Sequence, residues 1–582
     1  MPSPSGFRNP RRRALAAALV AVLASAPLLF AGLGRAPFDD PGEGMHAEIA
    51  RELMISGDPF ALTLNGVSYL DKPPLLYVLL ARAFRVAGAR EGTARAVPAL
   101  AALLAVGATA WLGARLLGPR GGLLAGLALL TSAGFFAYGR YVRPESLFVA
   151  FLALGFALCL TGVTDGRRAR VVAGLACFGL AGLAKDPLGA LVSPLALGAA
   201  LVLGGRARPV ARWLPWPGVL ACLVLGVGWW ALVELRTPGF VWYTVVDNHV
   251  LNVLQARWFP DEDVPLSAPQ FLAVALLGAT PWVIPAARTV WGLGRRRAWR
   301  EPAELPWVTL ALWAVGVLAL TALSRFRLPH YGLPAYFALA LLAARGWERP
   351  GRGLVALHAA LFAALALACA LFWASDGARF VADVLGAADV ATRKSAAAGG
   401  AAPVPAWEAF RPLVGATALV FAAGALAATV CALAWRRLGR PGIAAFVVLA
   451  TMVGVLPSVA AALSLVSAHR AVRDTGRLVA ARAAPGDVVA HEGPLESSGA
   501  LEWYAGWRPV IVDGRRSVLG FGAGRPEARA LFWDEPRLRE AWARGRVWLV
   551  SVRPPARSVA QRLPGARLVA QAGARWLYVN AP

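Results

Sequence analysis

Between Ala14 and Ser467 the chain returns repeatedly to apolar runs near twenty residues long. A run of that length crosses roughly 30 Å of hydrocarbon as a helix, where every backbone N–H and C=O must find its partner within the protein. A closed barrel is the other way to satisfy a backbone in lipid, but its ten-residue alternating pattern is absent. The spans are therefore expected to be helical. Composition agrees: 58% of residues are hydrophobic and 16% charged, against about a quarter charged in a soluble domain.

The formal net charge of +26 would suggest a nucleic-acid partner in a soluble protein. Here the basic residues sit in short loops between apolar runs, so they read as topology signals and no nucleic acid is expected. Cys159, Cys177, Cys222, Cys369 and Cys431 lie in or beside apolar runs without metal-ligand spacing. They read as small core residues.

Arg8, Arg11, Arg12 and Arg13 precede the first run, 14–33, as in a retained signal-anchor. The positive-inside rule places them in the cytoplasm and the segment after Gly34 outside. The next run, 73–88, is short and carries Arg82 and Arg85, so it reads as a surface segment. Spans then follow near 95–117, 120–139, 145–163, 171–186, 188–204, 212–233, 269–288, 304–323, 331–346, 353–374, 412–434 and 441–466, making about thirteen. This parity puts Arg115/Arg120, Arg167–Arg170, Arg206–Arg212, Arg295–Arg300, Arg345–Arg352 and Arg436–Arg440 in the cytoplasm. It collects 34–72, 140–145, 235–268, 324–330 and 375–411 outside, with the 185–187 junction at that face. The unusual polar residues are concentrated there.

The expected fold is an α-helical polytopic membrane domain over 1–467, with a first periplasmic loop at 34–94. A small extracytoplasmic α/β domain over 468–582 is read from short β-type runs beginning at Asp487, Arg508, Val547 and Trp576. The Ala/Gly/Pro-rich stretch 396–405 reads as a flexible loop.

Asp39, Asp40 and Glu43 directly follow the first span. They suit a general base or a metal ligand, and equally a capping cluster for a helix starting near Gly44. The chain has only three lysines, Lys72, Lys185 and Lys394. Lys72, before Pro73-Pro74, is a candidate phosphate contact or an interfacial anchor.

The first loop resembles the GT-C glycosyltransferases of the protein O-mannosyltransferase and lipid A aminoarabinose transferase superfamily. The match runs through Ala47-Glu-Ile-Ala-Arg51, Asn65-Gly66 and Lys72-Pro-Pro-Leu75. Arg143-Pro-Glu145, Lys185-Asp-Pro-Leu-Gly189 and Leu328-Pro-His-Tyr331 resemble later, shorter motifs of the family. The resemblance covers most of the membrane portion. It implies an enzyme of the inner membrane of bacteria, moving a sugar from a polyprenyl-phosphate donor to a lipid, glycan or protein acceptor at the periplasmic face. The rival class is a transporter, flippase or non-catalytic binder of a lipid-linked sugar.

On this reading a carboxylate takes the acceptor proton and fixed cations hold the lipid phosphate. Aligned on Ala47, the family's acidic pair falls on Gly42-Glu43, its next arginine on Met45 and its tyrosine on His46. Either Glu43 acts alone or the backbone presents Asp40; the expected catalytic acids are Glu43, Asp40 and Glu145. Lys72, Lys185, Arg143, Arg257 and Tyr331 are the expected phosphate contacts, with another cation replacing the arginine lost at 45. The aminoarabinose branch also implies zinc on an acid and a histidine, here Asp71 and His249, which the residue types allow.

Overall fold

The computed structural model describes residues 10–397, 402–438 and 441–580. Eight of its helices are long and apolar enough to cross a membrane, and nine if the bent pair Ala268–Gly278 and Val283–Arg295 is one span. This is a multi-pass helical membrane protein. The remaining expected spans are present as shorter helices, Arg168–Ala184, Ser193–Leu203 and Tyr336–Gly346. The expected pair 95–117 and 120–139 forms one element, Glu91–Leu130, broken at Gly118-Pro119, followed by Ala133–Gly139. The break has a local cause: Gly118 sits at φ 81°, and Pro119 supplies no N–H to the preceding turn.

Contacts between polar segments sort the loops into two faces. On one, Arg115 pairs with Asp165 at 3.0 Å, Arg206 donates to the Trp299 carbonyl at 2.9 Å, and Arg345 pairs with Glu304 at 2.5 Å. These join the arginine-rich loops. Of the sixth, 436–440, residues 439 and 440 lie outside the described residues, as do 398–401 of the expected flexible loop.

On the opposite face Arg95 donates to the carbonyls of Leu33, Ala36 and Pro37. Trp229 donates to the Pro59 carbonyl, Leu266 to that of Arg327, and Arg470 pairs with Asp389. The division by charge is thus reproduced in space.

Residues 73–88 form the amphipathic helix Leu75–Ala87, packed against the first-loop helix Glu43–Ser56. The latter ends on Gly57 at φ 73°, whose N–H returns to the Leu53 carbonyl. Asn65-Gly66, at φ 56° and 72°, turn the hairpin Thr63–Leu64/Val67–Ser68, the backbone a type I′ turn requires.

The last long helix, Pro441–Arg470, leads into a domain with a six-stranded sheet. Its order is Phe532–Trp533, Val510–Val512, Val488–Glu492, Val547–Ser551, Arg575–Val579, Arg567–Ala572. The first four strands are parallel and the last two antiparallel to their neighbours. The sequence pattern located four strands; Phe532–Trp533 and Arg567–Ala572 escaped it. The first is two residues long, and the second carries a register shift between Leu568 and Ala570 that breaks alternation.

Candidate active site

Two clusters of buried charge lie on the site face. The first is built from the loop after helix Pro10–Phe30. Glu43 meets Arg95 through both oxygens, at 2.5 and 2.8 Å, and accepts the backbone N–H groups of Asp39 and Val142. Asp39 takes Arg470 at 2.8 Å and the Tyr141 hydroxyl. Asp40 accepts the N–H groups of Val472 and Ala500.

All three acids are buried. Burial pushes the Asp40 carboxyl up to about 7 against the pull of Arg575, and that of Asp39 up to about 6 against Arg470. The expectation of Glu43 and Asp40 as catalytic acids meets a physical obstacle: both are closed off from solvent and already hold donors. They tie the first loop to Arg95 and to the C-terminal domain.

The eroded acidic pair also has a steric cause. A side chain at Gly42 would meet the Tyr141 hydroxyl 1.9 Å from its Cβ. Met45, at the family's arginine position, packs against Gly499 of the C-terminal domain. The Asn65-Gly66 turn is likewise structural: its N–H groups go to Glu52 and the Asn65 amide donates to the Pro509 carbonyl at 2.8 Å.

The second cluster centres on Glu145, at the start of helix Glu145–Thr164 after Pro144. It is 2% exposed. Lys185 lies 3.4 Å away, His330 3.4 Å and Arg143 3.6 Å. Among the described residues, neither of its carboxylate oxygens accepts a hydrogen bond from another residue.

Lys185 is placed by a helix break. It ends helix Arg168–Ala184, and Asp186 caps the next turn by accepting the N–H of Leu188 at 2.8 Å. Its ammonium lies 5.5 Å from the Tyr331 ring centroid, a cation–π contact. Lys72 stands within electrostatic reach of Glu145 and Arg143 and pairs with Asp71 at 2.6 Å. Burial works against its ammonium, but Asp71 outweighs that and holds it above its ordinary value. The side chains of Lys72 and Arg143 are 27% and 25% exposed, so this cluster is open where the first is closed.

The structure therefore gathers Glu145, Lys185, Arg143, Lys72 and Tyr331. Arg257 differs: it is engaged by Asp247, Asp261 and Asn248 and is left with little charge to offer. The expected metal pair is not assembled. Asp71 holds Lys72 and Asn248, while His249 uses one ring nitrogen on the Thr244 carbonyl and the other on Asp186 at 3.1 Å. Burial opposes the His249 proton, but Asp186 holds its ring above the ordinary value, a poor state for a ligand. The residues present do not fit zinc at this pair.

Sequence reasoning undervalued His330 and missed Arg95 and Arg470. His330 sits at the variable position of a short motif, and the two arginines carry no local signal because their partners are 52 and 431 residues away. His46, at the family's tyrosine position, meets the Tyr77 hydroxyl at 2.9 Å. Burial and then Arg143 push its ring down to about 3.

Residues 71–231 match a family model described as dolichyl-phosphate-mannose-protein mannosyltransferase. The crystal structure of ArnT from Cupriavidus metallidurans bound to undecaprenyl phosphate superposes with a TM-score of 0.77, covering 97% of this chain and 98% of that one at 22% identity. The chain therefore has the fold of that protein. Among ArnT-type sequences, the undecaprenyl phosphate-alpha-4-amino-4-deoxy-L-arabinose arabinosyl transferase of Pseudomonas aeruginosa (strain UCBPP-PA14) is 30% identical over 355 residues. That match covers 56% of this chain and 61% of the relative. The corresponding protein of Edwardsiella ictaluri (strain 93-146) is 26% identical over 317 residues, 52% of this chain and 54% of the relative. The chain thus spans between half and two thirds of the length of these curated relatives.

Proposed function

We propose that this protein transfers a sugar from a polyprenyl-phosphate donor to an acceptor hydroxyl, at the periplasmic face of a bacterial inner membrane. One observation carries the reading: Glu145, a buried carboxylate that accepts no hydrogen bond from another of the described residues, stands among Lys185 and Arg143, with Lys72 in electrostatic range. An arrangement with surplus positive charge around a carboxylate held by ion pairs alone suits an anionic leaving group beside a proton acceptor.

In the proposed step the acceptor oxygen bonds to the anomeric carbon as the carbon–oxygen bond to the lipid phosphate breaks. The acceptor proton passes to Glu145. The phosphate keeps the bonding electrons, and Lys72, Lys185 and Arg143 balance its charge. The phosphate competes with Glu145 for these cations, which frees the carboxylate for the proton.

The relatives' printed names, which specify an undecaprenyl-phosphate aminoarabinose donor, support a lipid-phosphate donor here. The acceptor is proposed at class level, as a lipid, glycan or protein hydroxyl. Mass spectrometry of membrane lipids from cells with and without the protein tests the reading. Polyprenyl-phosphate sugar accumulating in its absence supports it; an unchanged lipid profile overturns it.

A further inference from the structure

The bent span leaves a gap on the membrane side of the protein. Helices Ala268–Gly278 and Val283–Arg295 meet at 107°; both touch the long helix Leu305–Leu323, and the second packs mainly on Tyr336–Gly346. Beneath the bend is an open groove of about 820 Å³, walled by apolar side chains such as Leu276, Ile284, Val315 and Leu318. One charged residue, Arg295, lines its end. Helix Val283–Arg295 has 13 residues and rises about 20 Å, more than the roughly 15 Å of one leaflet's hydrocarbon.

Two arginines on this helix are unaccounted for. Arg288 and Arg295 are exposed, and among the described residues neither has an ion pair or hydrogen bond. Neighbouring Arg296, by contrast, is paired with Glu304 at 3.5 Å. A spacing of seven residues sets Arg288 and Arg295 on one side of the helix, the side that bears Ile284, Trp291 and Arg295 of the groove wall. An uncompensated guanidinium at membrane depth is costly and calls for an anion.

We propose that this groove binds an anionic phospholipid from the leaflet on the arginine-rich side. One acyl chain fills the apolar wedge and the phosphate lies against Arg288 and Arg295. Basic pockets between membrane helices capture acidic head groups by this chemistry. The site is separate from the Glu145 cluster: Arg295 lies on the face of Glu304 and Arg345, and Lys72 on the face of the first loop. A carrier whose phosphate occupies the one does not reach the other.

The test uses the full-length protein, delipidated in detergent and offered phosphatidylglycerol or phosphatidylethanolamine of identical chains, with retained lipid counted by native mass spectrometry. Wild type is expected to prefer phosphatidylglycerol about tenfold, close to 1.4 kcal/mol. The double variant R288Q/R295Q is expected to bring the preference near unity while its unfolding temperature stays unchanged, since both side chains are exposed and unpaired. Val315→Trp, at a half-exposed wall position, is expected to reduce retention of both lipids. A preference that survives R288Q/R295Q overturns the proposal, and so does undiminished retention in Val315→Trp. Displacement of phosphatidylglycerol by undecaprenyl phosphate also overturns it, assigning the groove to the carrier's tail instead.

Discussion

The two acid clusters on the site face contain the same chemistry and end in opposite states. Around Asp39, Asp40 and Glu43, each carboxylate is met by donors: Arg95, Arg470, Tyr141 and backbone N–H groups. Around Glu145, charge surrounds the carboxylate but, among the described residues, no hydrogen bond from another residue reaches it. A buried acid held by direct hydrogen bonds is a fastening. One held only by nearby charge can exchange its partners for a substrate's. Charge clustering alone does not tell these apart; the count of donors does.

Replacing one acid in each cluster is the sharpest way to break the comparison. Glu145→Gln keeps volume and removes the proton acceptor. Sugar transfer is expected to fall about 10²–10⁴-fold, the usual range for a general base, with thermal unfolding little changed. A variant that transfers at the wild-type rate removes Glu145 from the mechanism.

Glu43→Ala strands the buried Arg95, and loss of one partner of such a pair costs about 3–5 kcal/mol. A clear drop in unfolding temperature is expected, and Arg95→Ala should show the same defect. If Glu43→Ala instead unfolds normally but loses turnover, the first cluster is catalytic and the comparison collapses.

Lys185→Gln removes one cation facing the proposed phosphate. A charge-assisted contact contributes about 1.5–3 kcal/mol, so carrier affinity is expected to weaken roughly 10- to 100-fold, measurable by titration with undecaprenyl phosphate. Arg257→Gln, whose side chain is already engaged by Asp247 and Asp261, should disturb carrier affinity less. Equal effects from both would mean that acid-paired cations also serve the phosphate.

A further expected effect is on pH dependence. Burial raises Asp40 from 3.8 to about 7 in the folded protein. A raised folded value means that the native state holds the proton more tightly, so this contribution is fully present below about pH 4. It declines as pH rises towards 7 and changes little above that. Asp40→Asn should flatten that part of the stability–pH curve, read as unfolding temperature from pH 4 to 8. An unaltered slope would show that Asp40 is ionised throughout.

Much of this was legible beforehand. Runs of apolar residues and the sides on which arginines fall are local properties, and lipid leaves a backbone few alternatives, so the helical plan and its two faces followed from the sequence. Lys185-Asp-Pro and Lys72-Pro-Pro were legible as well, because two of the chain's three lysines fall in these motif-like stretches.

What the first-loop acids do was not legible. Glu43 looks like a base until Arg95, 52 residues on, closes over it. The Gly42 departure looks like erosion until Tyr141 fills the space where a side chain would go. The metal pair Asp71 and His249 fails for the same kind of reason, since their neighbours Lys72, Asn248 and Asp186 claim their polar atoms first.

By itself, then, the sequence determined a bundle of helical spans, its division into a basic and a polar face, and the residue types available at the polar one. Those depend on short stretches of chain meeting lipid or water. Tertiary structure alone decided which carboxylate remains without donors, because hydrogen bonds are satisfied within about 3 Å, whatever the separation along the chain.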